Sequence, residues 1–127
     1  MTDITTLSDR DLLILAAKFC NYEIHRGIID DFLVRKVRDS LFVKWNPLTD
    51  AGDRARACDE HYINVHIGRY SAYVDHYPLE GGKKAEWQEM HTKHNNNRTV
   101  AANYAATRLM AMMQLEKEKK NVHKSTA

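Results

Sequence analysis

Hydrophobic and polar residues alternate along this chain with two different periods, and the changes of period predict its helices and strands. In the first segment, apolar residues recur at intervals of three and four, as on one face of a helix, at Leu12, Leu15, Ala16 and Phe19. Ser8 stands where an N-cap is expected and Asn21 is a plausible stop. The pattern therefore predicts a helix near the start of the chain.

Period-two segments rich in β-branched and aromatic residues predict two hairpins. The first pairs residues 32–37 with 41–45 across Asp39-Ser40, a turn-type dipeptide. The second pairs Tyr62–Ile67, which alternates cleanly, with Ala72–Tyr77. Between the hairpins, Asn46-Pro47 breaks the chain.

Two more helices and a loop complete the predicted order. A second helix is expected after Thr49 as its N-cap, and a third from about Thr99 with a stripe of small and apolar residues, Ala102, Ala105, Leu109, Met112 and Met113. Between the second hairpin and the third helix, residues 79–98 are polar and predict a loop insertion. Residues 116–127 predict a charged tail that frays. The pattern as a whole predicts an α+β fold, in which one antiparallel sheet of about four strands packs with three helices in the order α-ββ-α-ββ-α.

Composition narrows the class of protein. The 127 residues suit a single domain over 1–127, and 43% hydrophobic with 28% charged residues is typical of a globular chain. A net charge of +2 makes a nucleic-acid partner unlikely on charge alone. The longest apolar stretch, Leu12–Ala17, is far too short to span a membrane. No secretory signal is recognisable at the N-terminus, so we expect a cytoplasmic protein in which Cys20 and Cys58 are buried free thiols.

Three motifs suggest an origin. Ser8–Leu13 (SDRDLL) is similar to the opening helix of a group of small bacteriophage proteins, and Asn103–Arg108 (NYAATR) to the start of their last helix. Trp45–Asp53 (WNPLTDAGD) resembles their most recognisable motif. By these motifs the chain resembles the phage "ABA sandwich" family of accessory proteins. The resemblance implies a fold and a phage or prophage origin, and hence the cytoplasm of an infected or lysogenic bacterium, but no chemistry.

A fourth motif suggests an alternative. Val74–Gly82 (VDHYPLEGG) resembles the strand and loop that open an HNH nuclease site. The resemblance implies Asp75 as a metal ligand, His76 as the general base, and His91 or His94 as the ligand that completes the shell. Such an enzyme would use a divalent ion to activate water at a phosphodiester.

Outside these resemblances, the residues give no complete catalytic set. His91 and His94 with His76 could hold zinc, but no cysteine lies nearby and no fourth ligand is evident, so we expect neither metal nor cofactor. Tyrosine suits an interface because its ring is apolar and its tip polar. The predicted binding residues are therefore those of the second hairpin: Tyr62, Tyr70, Tyr73, Tyr77 and Arg69.

The function predicted from the sequence is non-catalytic binding. In the leading hypothesis, a phage accessory protein binds a host or anti-phage-defence protein, and it could also form a homodimer. One alternative is a protein that sequesters a nucleotide signal, with tyrosines and Arg69 or Arg108 holding bases and phosphates. The other is the HNH-like, metal-dependent nuclease.

Overall fold

The computed structural model describes residues 3–26, 33–39, 41–77 and 84–126, with residue 26 and the last six as backbone only. These residues form three helices and two separate three-stranded sheets. The helices are α1 (Asp9–Cys20), α2 (Ala51–Glu60) and α3 (Arg98–Thr126). The strands are β1 (Ile24–Arg26), β2 (Leu33–Arg38), β3 (Leu41–Lys44), β4 (Ile63–Ile67), β5 (Ser71–His76) and β6 (Ala85–Met90). Short 3-10 turns lie at Ile4–Thr6 and His91–His94.

The prediction of a single sheet of about four strands in the order α-ββ-α-ββ-α is wrong. The chain forms two antiparallel sheets, β1-β2-β3 and β4-β5-β6, because each predicted hairpin gains a third strand. Strand β1 has three residues, too few for a period to be visible. Strand β6 lies within the segment that was predicted to be a polar loop. The prediction is wrong there because one inward position of β6 is the charged residue Glu89, which hides the alternation of polar and apolar residues.

Local capping explains the helix ends. The side-chain oxygen of Ser8 accepts a hydrogen bond from the Asp11 amide, and Asn21 ends α1 in the left-handed conformation, as predicted. Helix α2 starts one residue later than expected. Its N-cap is Asp50 and not Thr49. The Asp50 carboxylate accepts hydrogen bonds from the backbone amides of Gly52 and Asp53.

Helix α3 lies across one face of the second sheet and against α1. The residues of α3 that face this core are mostly small, which lets the helix axis approach the strands closely; they include Ala101, Ala102, Ala105 and Ala106, all fully buried. Leu109 and Met110 fill the remaining space. The backbone of α3 continues as helix through Thr126, beyond the point at which fraying was expected. No helix in the described ranges is long and apolar enough to cross a membrane.

The first sheet makes far less contact with the rest of the molecule. Leu33 and Trp45 anchor it in the core, and Tyr22 packs edge-on against Trp45 with ring centroids 5.8 Å apart. Four apolar side chains of this sheet are between 41% and 51% exposed: Val37, Leu41, Phe42 and Val43. One end of the sheet is therefore part of the core, and the other end presents apolar side chains to solvent.

The two cysteines are buried free thiols, as predicted. Cys20 Sγ lies 3.5 Å from Met110 Sδ, so α1 and α3 meet at this sulfur pair. Burial raises the pKa of both thiols to about 12.

Candidate functional site

The second sheet has two chemically different faces, and they separate the residues of the nuclease-like motif. Side chains alternate across a strand, so Val74 and His76 of β5 face the helices, whereas Asp75 faces the opposite side. His76 lies against Phe19 of α1, with ring centroids 6.3 Å apart. The predicted metal ligand Asp75 and the predicted base His76 therefore do not converge. The rest of the motif, 78–82, lies outside the described residues.

Asp75 already has polar partners on its own face. Asn64 Nδ2 donates to Asp75 Oδ1 at 2.9 Å, and His66 Nε2 lies 3.6 Å from Oδ2. The carboxylate is buried although it lies on the outer face of the sheet. These contacts give Asp75 a role in joining β4 to β5.

His91 and His94 lie at the far end of β6 from His76. His76 pairs with Ala85 at the start of β6, and His91 follows its last residue. Six strand residues at ~3.3 Å each span roughly 20 Å, so His76 cannot share an ion with either histidine. In the described part of the chain, no group of three or more histidine, cysteine, aspartate or glutamate side chains is placed to hold a metal.

His94 and Arg108 belong instead to a buried polar cluster around Glu89. Arg108 forms an ion pair with Glu89, and the His94 ring stacks on Tyr104 with centroids 4.7 Å apart. Tyr104 donates to Asp9 Oδ2 at 2.8 Å, and the Arg108 guanidinium lies 5.1 Å from the Tyr104 ring centroid. Burial lowers the pKa of Arg108 and of His94. This cluster links α1, β6 and α3, so Arg108 is engaged within the fold.

The four predicted tyrosines do not form one surface. Tyr62 and Tyr77 flank one end of the second sheet, and Tyr70 lies at its other end, in the turn between β4 and β5. Tyr73 is on the outer face, where it donates to Glu86 and accepts from Lys84 Nζ at 3.1 Å. The hydrogen bond to Glu86 raises the pKa of Tyr73. The Arg69 guanidinium lies 5.5 Å from the centroid of the Tyr70 ring. Arg69 therefore lies at the same end of the second sheet as Tyr70.

A cavity lined by described residues opens at the Tyr62 end of the sheet. Its volume is about 740 Å³, and it lies between the C-terminal ends of α1 and α2, the end of β5, the start of β6 and the middle of α3. Phe19, Met112 and Met113 supply apolar walls. Tyr62 lines it with a φ of 59°, a left-handed conformation uncommon for a bulky residue. Such strain is often retained at functional sites.

Two imidazoles line this cavity, and each has a ring nitrogen without a hydrogen-bond partner among the described residues. His61 and His76 both line it, and their rings lie 5.5 Å and 6.3 Å from the Phe19 ring. His61 Nε2 and His76 Nδ1 are buried and have no hydrogen-bond partner among the described residues. Glu60 Oε2 is 4.0 Å from His61 Nε2, too far for a hydrogen bond. Burial lowers the pKa of His61, which keeps this imidazole neutral at pH 7 as one donor and one acceptor.

Charged residues of both signs surround these rings, with cations in excess. Three lysines line the cavity, Lys84, Lys117 and Lys120, against the two acids Glu60 and Glu116. Lys117 Nζ lies 4.8 Å from the Phe19 ring centroid, so the ammonium sits over an aromatic surface. Tyr22 donates to Glu60, which ties up one of the two carboxylates.

Sequence reasoning did not find this cavity. His61 was part of no motif, Phe19 was assigned to the core, and Lys117 to a solvated tail. A histidine in the residues that end a helix is a weak signal, because nothing local indicates that two other elements will enclose it. Of the predicted binding residues, the cavity includes only Tyr62.

No protein-family model matches this chain, and none of the curated proteins matches it. The resemblances to phage accessory proteins and to HNH nucleases therefore stay predictions from short motifs.

Proposed function

We propose that this chain is a binding protein and that the 740 Å³ cavity holds a small anionic ligand with a planar ring, such as a nucleotide. The observation that supports this most directly is the pair of buried, unpartnered imidazole nitrogens, on His61 and His76, in a cavity lined by three lysines. This is the nucleotide-sequestering alternative, placed at a different site from the one predicted.

The chemistry of the walls favours this class of ligand. A buried polar atom without a partner costs roughly 1–3 kcal/mol, a cost that a ligand with complementary donors and acceptors removes. A heterocyclic base supplies such groups at its edge, and its faces can contact the apolar wall that Met112 and Met113 form. Lys117 and Lys120 supply charge for phosphates. A volume of about 740 Å³ lies within the roughly 300–1,000 Å³ of small-molecule sites.

Thermal shift and calorimetry against a nucleotide panel test the proposal. The panel includes nucleoside mono-, di- and triphosphates and cyclic dinucleotides. We expect at least one to raise the melting temperature of the wild type, and His76→Phe and the double variant Lys117→Gln/Lys120→Gln to lose that shift. Lys119→Gln is the matched control, because this exposed neighbour does not line the cavity. The absence of any shift, or an equal shift in all variants, contradicts the proposal.

A second candidate function is recognition of a protein, the leading hypothesis from the sequence. It is favoured by the exposed apolar side chains of the first sheet, of which Phe42 is the largest. The three strands of this sheet carry five basic residues and no acidic one: Arg26, Arg35, Lys36, Arg38 and Lys44. Lys36 pairs with Glu23, just before β1, at 3.5 Å, and the sheet keeps an excess of positive charge. We therefore propose an acidic protein surface as the partner. For a phage accessory protein, it would belong to a host or defence component.

Phe42→Asp tests the second candidate. We expect a bacterial lysate to yield an acidic protein that binds the wild type, is released at about 0.5 M NaCl, and does not bind Phe42→Asp. Ile67→Asp is the control, because Ile67 is equally exposed on the second sheet. Capture that persists in Phe42→Asp contradicts this candidate. A second result would also contradict this candidate: sedimentation that shows a homodimer of the wild type and a monomer of Phe42→Asp. In that case the surface would bind a second copy of the chain.

A further inference from the structure

We propose that a second cavity, at the opposite end of the second sheet, binds the phosphate group of a small molecule. This cavity has a volume of about 420 Å³ and lies between the β4–β5 turn, the His91–His94 turn and the start of α3. Its polar lining comes from Arg69, His91, Thr92, Asn96 and Arg98. The inference does not depend on the proposed function, because it concerns other residues.

The charge of this cavity is of one sign. Its charged residues are Arg69 and Arg98, and no acidic residue lines it. Neither guanidinium forms an ion pair within the described ranges, and that of Arg69 lies 5.5 Å from the centroid of the Tyr70 ring. Guanidinium groups present planar pairs of N–H donors that match the oxygens of a phosphate. Two such groups without a carboxylate partner favour a doubly charged oxyanion over a cation or a neutral ligand.

A buried imidazole supplies an independent observation. His91 is only 4% exposed, and its Nε2 atom has no hydrogen-bond partner among the described residues. Its backbone N–H donates to the Tyr70 carbonyl at 2.9 Å, which fixes the 3-10 turn against the β4–β5 turn. His91 lines the cavity, so a ligand oxygen that reached its ring would give Nε2 the partner that the described residues do not provide.

The first turn of α3 adds to the positive potential. Arg98 is the first residue of this 29-residue helix, and Asn97 caps it by accepting from the Val100 amide at 3.0 Å. The N-terminal end of a helix carries partial positive charge, which favours an anion. Arg98 and Lys117 are 19 positions apart on α3, about 28 Å at 1.5 Å per residue, so the two cavities are separate sites.

Amide chemical shifts of the full chain, titrated with inorganic phosphate and in parallel with AMP, test the inference. We expect the amides of Thr92, Asn96 and Arg98 to shift with saturation. The variant Arg69→Gln/Arg98→Gln should weaken the affinity at least about tenfold. Both arginines are exposed, so the fold should be retained, which the spectrum itself verifies. Arg38→Gln, an exposed arginine on the first sheet, is the matched control.

The two ligands distinguish the source of the phosphate group. AMP that binds more tightly than phosphate and also shifts the Tyr70 resonances identifies a nucleotide, whereas equal affinities identify free phosphate. The inference is overturned if neither probe shifts these amides. It is also overturned if the double arginine variant binds phosphate and AMP as tightly as Arg38→Gln and the wild type do, because the two guanidinium groups would then play no part.

Discussion

The two sheets of this protein have the same size and pairing, yet they are stabilised in different ways. The second sheet is covered by α3, and its central residues Ala72 and Val74 are completely buried. In the first sheet, Leu33 is the one buried residue among the described strand residues, and every residue of β3 is exposed. The comparison teaches that antiparallel pairing does not determine burial. What differs is whether a helix covers the sheet and whether charged side chains beneath that helix find partners.

The largest expected effect is on the covered sheet. Glu89→Ala removes one member of a buried ion pair and leaves the Arg108 charge without its partner, which costs about 3–5 kcal/mol. The control is Glu86→Ala on the same strand, which faces solvent and should therefore destabilise the protein much less. Urea denaturation measures both. Similar losses for the two variants would mean that the faces of β6 do not differ in the way described.

A smaller effect should separate the two ends of the first sheet. Leu33→Ala should cost about 2 kcal/mol, the lower end for a buried leucine, because this sheet borders solvent and can relax. Leu41→Ala, on the neighbouring strand but 41% exposed, should cost less than about 0.5 kcal/mol. The free energies of unfolding of the two variants give the comparison. Equal values would show that both ends of the sheet are covered in solution.

The smallest effect concerns pH. Burial lowers the pKa of His61 and His94 below the value of an unfolded histidine, so the unfolded chain binds more protons in the range beneath about pH 6.5. The contribution of these groups to stability is therefore complete above that value and is lost as the pH falls through the lowered pKa values. His61→Gln should flatten the fall in melting temperature between about pH 7.5 and about pH 5.5. An equally steep fall in His61→Gln and in the wild type would contradict this assignment.

Those parts of the fold that depend on local chemistry could be predicted from the sequence. Ser8 begins α1 and Asn21 ends it through contacts with residues close in sequence. The β4–β5 hairpin follows from the clean alternation of apolar and polar residues along β4. Strand β6 could not be predicted, because Glu89 is acceptable at an inward position only when Arg108, 19 residues later, meets it.

The candidate site was predictable only in small part. Tyr62 was singled out for its residue type, and it does line the larger cavity; Arg69 and Tyr70 line the smaller one. His61 and His76 come together because α2 and β5 end near the same part of α1, which no local pattern shows. In the nuclease-like motif, Asp75 and His76 do not come together, because adjacent residues on a strand point to opposite faces.

The sulfur pair between α1 and α3 gives the molecule a built-in reporter of its own opening. The thiolate is the form of cysteine that attacks an alkylating reagent, and it is scarce when a thiol has a pKa of about 12 and is shielded from solvent. Cys20 should therefore become labelled only when the two helices part, and Cys58 only when α2 leaves the core. The rate of labelling at each position would time the separation of each helix, without any probe being introduced.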